Sequence, residues 1–252
     1  MKRLAILVVT AVVVFSSCIW DVLGEAGNGV SVDTAIEVPE FNAISIPHSI
    51  DVNYTQSSGI QKLTLTCDEN LLGYYDIRVE NGTLVVGVQP GVSLRPKVKT
   101  YLTVSSPVLE EVKLSGSGDV HIGSPIVSEG DFAIRISGSG DVETSGTVSC
   151  RNFSARTSGS GDAFVAGVTA ASAEFKSSGS GDLESDSVTA EEVSVSLSGS
   201  GDCELVCRNA GIVQVRISGS GDCTLSGSAA TLANLSLSGS GRLDVSRLVV
   251  GR

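Results

Sequence analysis

The sequence predicts an all-β protein built as a right-handed parallel β-helix, a solenoid of about seven ~20-residue coils capped by an N-terminal β lobe. The first observation behind this prediction is a repeated motif, since Ser-Gly-Ser-Gly-Asp occurs six times and a seventh copy reads Ser-Gly-Ser-Gly-Arg. The second is the spacing of the copies, which is 22, 21, 20, 20, 20 and 20 residues. The copies start at Ser115, Ser137, Ser158, Ser178, Ser198, Ser218 and Ser238. The third is the alternation of apolar and polar residues beside each motif, which is typical of half-buried strands.

Each repeat is expected to contain a strand on either side of a Ser-Gly-Ser-Gly corner. After the motif, the inward residues run from Val120 in the first repeat to Leu243 in the last, and before it they run from Val112 and Leu114 to Leu235 and Leu237. Small residues suit a corner at which identical backbones stack closely. Parallel strands lie about 4.8 Å apart, so seven coils rise roughly 30 Å, and parallel crossovers wind right-handed. A flattened two-sheet β-roll is the alternative architecture.

The N-terminus has the features of an export signal. Residues 1–17 are predicted to be a signal peptide, because two basic residues precede an apolar segment of twelve residues at 4–15, too short to span a bilayer as a free helix. The next residues, Phe-Ser-Ser-Cys, resemble a bacterial lipobox, which predicts cleavage before Cys18 and lipidation of its thiol. Residues 18–36 would then be a lipidated tether. The alternative is ordinary secretion with cleavage elsewhere, such as after Ala26.

The remaining chain divides into an N-terminal β lobe, residues 37–110, and the repeat β-helix, residues 111–252. The lobe lacks the motif but contains short alternating segments and an Asn81-Gly82 pair, which is typical of a hairpin turn. Because the open end of a solenoid offers unpaired strands to other chains, the lobe is expected to cover that end. At the other end Arg242 replaces the Asp of the motif, which fits a capping coil.

The order of these motifs identifies a family resemblance. A lipobox is followed by Phe-Asn-Ala-Ile-Ser-Ile at 41–46, by a strand at 51–56, by Asn-Gly-Thr-Leu-Val-Val at 81–86 and then by the Ser-Gly-Ser-Gly-Asp coils. This arrangement resembles the auto-transporter adhesin head domain family, called the GIN domain, over about residues 37–240. The resemblance implies a β-helical fold and an exported, adhesin-like bacterial protein. It carries no catalytic motif.

The aspartates of the motif should form a column of six carboxylates along the solenoid. Like charges about 5 Å apart repel by roughly 1 kcal/mol per pair even in water, so an interaction must offset the repulsion. One interpretation is that each carboxylate accepts backbone N–H bonds at the corner, which requires no cofactor. The other is that the column collects cations such as Ca²⁺. The members are Asp119, Asp141, Asp162, Asp182, Asp202 and Asp222.

A basic column is expected on the other side of the corner. Two residues before the motif, outward-facing positions carry Lys or Arg in five of the seven repeats. One interpretation is a solvated face with weak ion pairs. The other is a ladder that recognises a periodic anionic partner, such as an acidic polysaccharide. The cations are Lys113, Arg135, Arg156, Lys176 and Arg216.

Five cysteines follow Cys18, and two of them occupy the same inward position in adjacent coils. Cys203 and Cys223 would have Cα atoms near the strand spacing, which a disulfide tolerates. The alternative is a pair of stacked buried thiols that behave as small apolar residues. The cysteine spacing does not match a metal-ligand pattern.

Composition and the missing chemistry favour a non-catalytic function. The formal net charge of -11 argues against a nucleic-acid partner. His48 and His121 are isolated in sequence, and no long loop interrupts the repeats. We therefore expect a non-enzymatic lipoprotein of the bacterial cell envelope with an adhesin-like head, anchored in the outer membrane and either periplasmic or surface-exposed. Its expected partners are the membrane, through the lipid, and envelope or host glycans or proteins. The alternative is a carbohydrate-active β-helix enzyme or a binder of acidic polysaccharides.

Overall fold

Strands dominate the computed structural model, which describes residues 24–251. The strands before the repeats are Glu25–Ala26 (β1), Ser31–Ala35 (β2), Ala43–Ile46 (β3), Asp51–Gln56 (β4), Lys62–Asp68 (β5), Tyr75–Glu80 (β6), Thr83–Val88 (β7), Leu94–Arg95 (β8) and Tyr101–Ser106 (β9). A 3₁₀ helix occupies Glu69–Tyr74 between β5 and β6. None of the helices in this part of the chain is long and apolar enough to cross a membrane.

The repeat region contributes the other strands. They are Glu111–Leu114 (β10), Val120–Ile122 (β11), Ile126–Val127 (β12), Phe132–Ile136 (β13), Val142–Ser149 (β14), Asn152–Thr157 (β15), Ala163–Ser177 (β16), Leu183–Leu197 (β17), Cys203–Ile217 (β18), Cys223–Leu237 (β19) and Leu243–Val250 (β20). The strands β16 to β19 each run through most of a coil, with one corner motif between consecutive strands.

Successive coils stack in parallel and in register on both sides of the corner. Before the corner, Val112 of β10 lies between Ile44 of β3 and Ile134 of β13. After the corner, Val120 of β11 lies between Val52 of β4 and Val142 of β14. The same pairing continues through β16, β17 and β18. The structure therefore confirms the predicted all-β solenoid of about 7 turns.

The core is a set of inward columns that the alternation predicts. The side chains next to the corner are buried from the first repeat through the sixth, for example Val120 and Leu225. Three phenylalanines fill the middle of the stack, with ring centroids 6.4 Å apart for Phe132–Phe153 and 5.5 Å apart for Phe153–Phe175. The register partner of Phe175 is Ala155, so a large side chain lies beside a small one and the core stays filled.

The N-terminal lobe is continuous with the repeats. Strands β3 and β4 form a coil of the same stack, against which β10 and β11 pair in parallel. Beyond this coil, β7 and β9 continue the parallel order, and β6 and β5 then pair with them antiparallel. The change of direction gives the end of the solenoid an antiparallel cap. The stacked coils thus begin at residue 43, whereas the sequence places the start of the repeat domain at 111.

Part of the expected tether is also folded. Strand β2, Ser31–Ala35, pairs antiparallel with β5, and β1, Glu25–Ala26, pairs with β8. The structure thus differs from the sequence expectation, in which residues up to 36 form a tether. The signal peptide and Cys18 lie outside the described residues.

The C-terminal end of the stack is only half covered. Strand β20 pairs with the first half of β19, whereas the second half pairs with β18 on one edge and has no partner on its outer edge among residues 24–251. Leu235 and Leu237 were expected to be inward but are 49% and 53% exposed, because no described strand lies over them. Arg242 and β20 therefore cover one side of the last coil and not the other.

Candidate functional site

The corner motifs stack so closely that only glycine fits. A Cβ atom at Gly159 would overlap the carbonyl oxygen of Gly138 one coil earlier, and the same holds for Gly179 against Gly159. The corners are joined by backbone bonds, such as Ser160 N–H to the Gly138 carbonyl oxygen at 3.0 Å. The corner column is therefore a narrow surface of small residues with a different charge on each side.

On one side of the corner the aspartates form a hydrogen-bonded ladder. The Oδ1 atom of each Asp accepts the backbone N–H of the residue at the same position in the next coil, as in the 2.8 Å bond from Asp182 N–H to Asp162. The sequence interpretation expected the N–H donor to belong to the same corner. In the structure the donor belongs to the next coil. We call Asp51, Asp119, Asp141, Asp162, Asp182, Asp202 and Asp222 the aspartate ladder.

Sequence reasoning missed the first rung of the ladder. Asp51 Oδ1 accepts the Asp119 N–H at 3.0 Å, and its Oδ2 atom is 3.1 Å from Lys99 Nζ. At the other end Arg242 donates its N–H to Asp222 Oδ1 at 2.8 Å and its guanidinium to Oδ2 at 3.1 Å. The ladder thus has a cation at each end. The sequence feature that could have revealed this rung is the Asp51-Val52 pair. It matches the aspartate of each motif and the apolar residue that follows it.

The ladder and its neighbours make this side of the corner acidic. The Arg242 N–H and then its guanidinium hold the pKa of Asp222 below its ordinary value. Burial, followed by the charges of Glu204 and Asp182, raises the pKa of Glu184 on the adjacent outward column. Within residues 24–251, no group of three or more His, Cys, Asp or Glu side chains is arranged to hold a metal ion. Calcium binding by the column stays a prediction.

On the other side of the corner, cations from four successive coils line one groove. The register pairs Lys113 with Arg135, Arg135 with Arg156 and Arg156 with Lys176. The groove has a volume of about 400 Å³, and serines of the corner form its other wall. Arg216 follows two coils later, after Ser196. We call the surface lined by Lys113, Arg135, Arg156, Lys176, Ser115, Ser137, Ser158 and Ser178 the basic groove.

Two carboxylates lie against these cations. Glu111 is 2.8 Å from Lys113 Nζ and 2.6 Å from Arg135 Nε. Burial alone would raise the pKa of Glu111, but the hydrogen bonds from these two cations hold it below its ordinary value. Arg156 donates its Nε–H to Glu174 at 3.0 Å. Around Lys176, the described residues place no carboxylate within ion-pair distance.

The cysteines beyond residue 18 are all free thiols. Cys203 and Cys223 are register partners in the core, so the candidate disulfide between them is not formed in this structure. Contact with the Cys223 thiol, together with burial, raises the pKa of Cys203. The two side chains take the inward position that Leu183 fills in the coil before, which is a packing position.

The stacking of coils brings His121 next to Glu143 and Ser145, which lie one coil later in the sequence. His121 Nε2 is 3.3 Å from the Ser145 hydroxyl, and His121 Nδ1 is 3.6 Å from Glu143 Oε2. A serine, a histidine and a carboxylate in this order are the components of a nucleophilic site. The His121 and Glu143 side chains are 45% and 59% exposed, however, so water screens them. The 3.6 Å separation is also too long for the hydrogen bond that orients a catalytic histidine.

Comparison with known proteins agrees with the fold. A family described as "putative auto-transporter adhesin, head GIN domain" matches residues 40–210. The chain is similar to a crystal structure described as a "putative adhesin" from Bacteroides fragilis NCTC 9343, with 25% identity and a TM-score of 0.78 over 88% of this chain and 99% of that one. No curated protein matches the chain.

Two further solved structures come from Parabacteroides distasonis ATCC 8503. One is described as a "putative lipid binding protein", with 25% identity and a TM-score of 0.72 over 86% of this chain and 98% of that one. The other is described as a "putative adhesin", with 23% identity and a TM-score of 0.70 over 87% and 98% of the two chains. At 23% identity, the similarity to this second structure shows the fold alone.

Proposed function

The chain belongs to the auto-transporter adhesin family with the head GIN domain, and from this premise we propose that it is a non-catalytic adhesin head of the bacterial cell envelope. The observation that carries the proposal is the repetition of the outer surface. The corner aspartate recurs in six successive coils and a Lys or Arg lines the groove in four, so a repeating ligand meets several equivalent contacts at once. Weak contacts that act together raise the overall affinity well above that of one contact.

The proposal includes a lipid anchor on Cys18. The described chain starts at residue 24, and β1 pairs there with β8 beside the antiparallel cap. Six residues span at most about 20 Å when fully extended. A lipid on Cys18 would therefore hold residue 24, and the cap beside it, within about 20 Å of the outer membrane. Cys18→Ala should abolish incorporation of a labelled fatty acid and release the protein from the membrane fraction. Labelling that survives this substitution would contradict the anchor.

The adhesin role is tested by binding of the purified mature protein. We expect it to bind immobilised envelope or host glycans or intact cells, with higher apparent affinity for a dense ligand surface than for a sparse one, because binding is multivalent. A heat-unfolded sample is the control. Absence of binding to glycans, to envelope proteins and to cells would contradict the proposal.

The second candidate, a hydrolytic enzyme, is favoured by one observation, the cluster of His121, Glu143 and Ser145. An activated serine reacts with a fluorophosphonate, whereas an exposed ordinary serine does not. We expect no labelling of Ser145 and no release of sugar products from uronate polysaccharides. Labelling that is lost in both Ser145→Ala and His121→Ala would establish the enzyme and overturn the non-catalytic proposal.

A further inference from the structure

The basic groove repeats at the spacing of the coils. Lys113, Arg135, Arg156 and Lys176 are register neighbours on parallel strands, so their Cα atoms follow one another at about 4.8 Å along the solenoid axis. Corner serines, including Ser137 and Ser158, line the same groove. A ligand lying along the axis would thus meet one cation and one serine in each coil.

The groove keeps positive charge after its ion pairs are counted. Glu111 and Glu174 each lie beside cations of the groove, which leaves four cations against two carboxylates. The side chains of Lys113, Arg135 and Arg156 remain 44–45% exposed, so part of each is accessible to a ligand. In a chain with a net charge of -11, this is a local exception to the overall sign.

The chemistry of the lining selects among polyanions. A single-stranded nucleic acid is usually held by aromatic side chains that stack on its bases as well as by cations. None of the described residues that line the groove is aromatic. The hydroxyls beside the cations instead suit a polymer that carries both hydroxyl and anionic groups, which is the composition of an acidic polysaccharide.

We infer that the basic groove binds a linear acidic polysaccharide along the solenoid axis, with one carboxylate or sulfate facing each coil. The inference rests on the proposed adhesin function and names the ligand class of that head. The surface continues past Lys176 to Arg216, with Gln214 and Asn234 beside it. Polymers long enough to reach Arg216 therefore bind more tightly than chains of two or three sugars.

The test uses a substitution that the chain already contains. Serine occupies the register position of the basic column at Ser196 and Ser236, so Arg156→Ser/Lys176→Ser should preserve the fold. The matched control is Lys62→Ser/Arg208→Ser, which removes the same charge from exposed positions outside the groove. Binding of the full mature protein is measured with polygalacturonate, dextran sulfate and neutral dextran at several salt concentrations.

We expect the unaltered protein to bind at least one of the two polyanions, and the groove variant to bind it roughly tenfold more weakly, since two exposed charge contacts are lost. The salt dependence should also become shallower in the groove variant. Binding of polygalacturonate but not dextran sulfate identifies a carboxylated ligand, and the reverse identifies a sulfated one. Equal loss in the control, or no polyanion binding at all, would overturn the inference. Cell or glycan binding that the groove variant retains would overturn it while leaving the adhesin function intact.

Discussion

The Oδ1 atom of Asp51 accepts a 3.0 Å hydrogen bond from the backbone N–H of Asp119, although the two residues are 68 positions apart. This bond joins the N-terminal coil to the first repeat by the same contact that joins the repeats to one another. The carboxylates of the ladder therefore hold neighbouring coils together through their Oδ1 atoms.

The first prediction concerns a rung in the middle of the ladder. Asp162→Ala removes the acceptor for Asp182 N–H, and we expect the free energy of unfolding to fall by about 1 kcal/mol. Asp162→Asn keeps an oxygen acceptor and removes a charge that its neighbours repel, so its effect should be smaller. Urea unfolding with and without Ca²⁺ measures both. Equal effects of the two substitutions would contradict the hydrogen-bonding role, and a calcium shift lost in both would support the cation site.

The second prediction concerns the corner glycines. In Gly199→Ala the new Cβ atom would overlap the carbonyl oxygen of Gly179, so the coils must separate locally. We expect a loss of about 1–3 kcal/mol, the usual cost of forcing extra atoms into a packed site. Gly73→Ala is the control, because nothing lies within 4 Å of its Cβ position. Similar melting temperatures for both variants would show that the corners are not tightly stacked.

The third prediction compares two serines that both point into the core. The Ser185 hydroxyl is buried without a hydrogen-bond partner among the described residues, whereas the Ser177 hydroxyl donates to the Gly181 carbonyl oxygen at 2.9 Å. We expect Ser185→Ala to stabilise the protein by about 1 kcal/mol and Ser177→Ala to destabilise it by a similar amount. The two changes remove the same atom from equally buried sites, so effects of the same sign would contradict this account.

The fourth prediction concerns acid and the N-terminal cap. The Asp68 side chain is buried, and although burial alone would raise its pKa, three backbone N–H groups hold the pKa below its ordinary value. These donors belong to Gly29, Lys97 and Val98 and lie 2.6, 2.9 and 3.0 Å from the carboxylate. A carboxylate whose pKa is lowered in the folded state stabilises the protein above about pH 4. This stabilisation is lost as the pH falls through the folded-state pKa.

We therefore expect the melting temperature to fall between pH 7 and pH 3, and the amides of β2 and β5 to lose protection from hydrogen exchange. The Asp68→Asn variant should have a lower melting temperature at pH 7 than the unaltered protein. Its melting temperature should also change less with pH. Asp186→Asn, on an exposed part of β17, is the control. Parallel pH curves for the unaltered protein and Asp68→Asn would contradict this role.

Much of the fold could be predicted because the repeat makes the inward and outward positions explicit. The columns that contain Val112, Val120 and Leu205 follow from alternation alone, and all three are buried. Asp51 was missed because its corner reads Pro-His-Ser-Ile and lacks the motif. The exposure of Leu235 could not be foreseen from alternation, which assigns a face to a residue but does not say whether another strand covers it.

The candidate site was harder to predict than the fold. The basic and acidic columns follow from the register, since equivalent positions in successive coils become neighbours. The cluster of His121, Glu143 and Ser145 follows from the same register, since His121 and Glu143 are register partners, but it was missed because the histidine is isolated in sequence and its neighbours come from the next coil. In a solenoid, a search for functional groups must therefore compare residues about one repeat apart as well as residues close in sequence.

The ladder has a consequence for how such a gene can change. Each rung connects one coil only to the next, so deleting residues 183–202 would bring Asp182 directly before Cys203 and recreate the same bond between the coils that remain. We expect this shortened protein to fold, and circular dichroism with thermal melting measures whether it does; failure to fold would contradict the independence of the rungs. Unequal recombination between the repeats would then produce shorter and longer heads in single steps. The length of the solenoid would be set by the number of repeats in the gene.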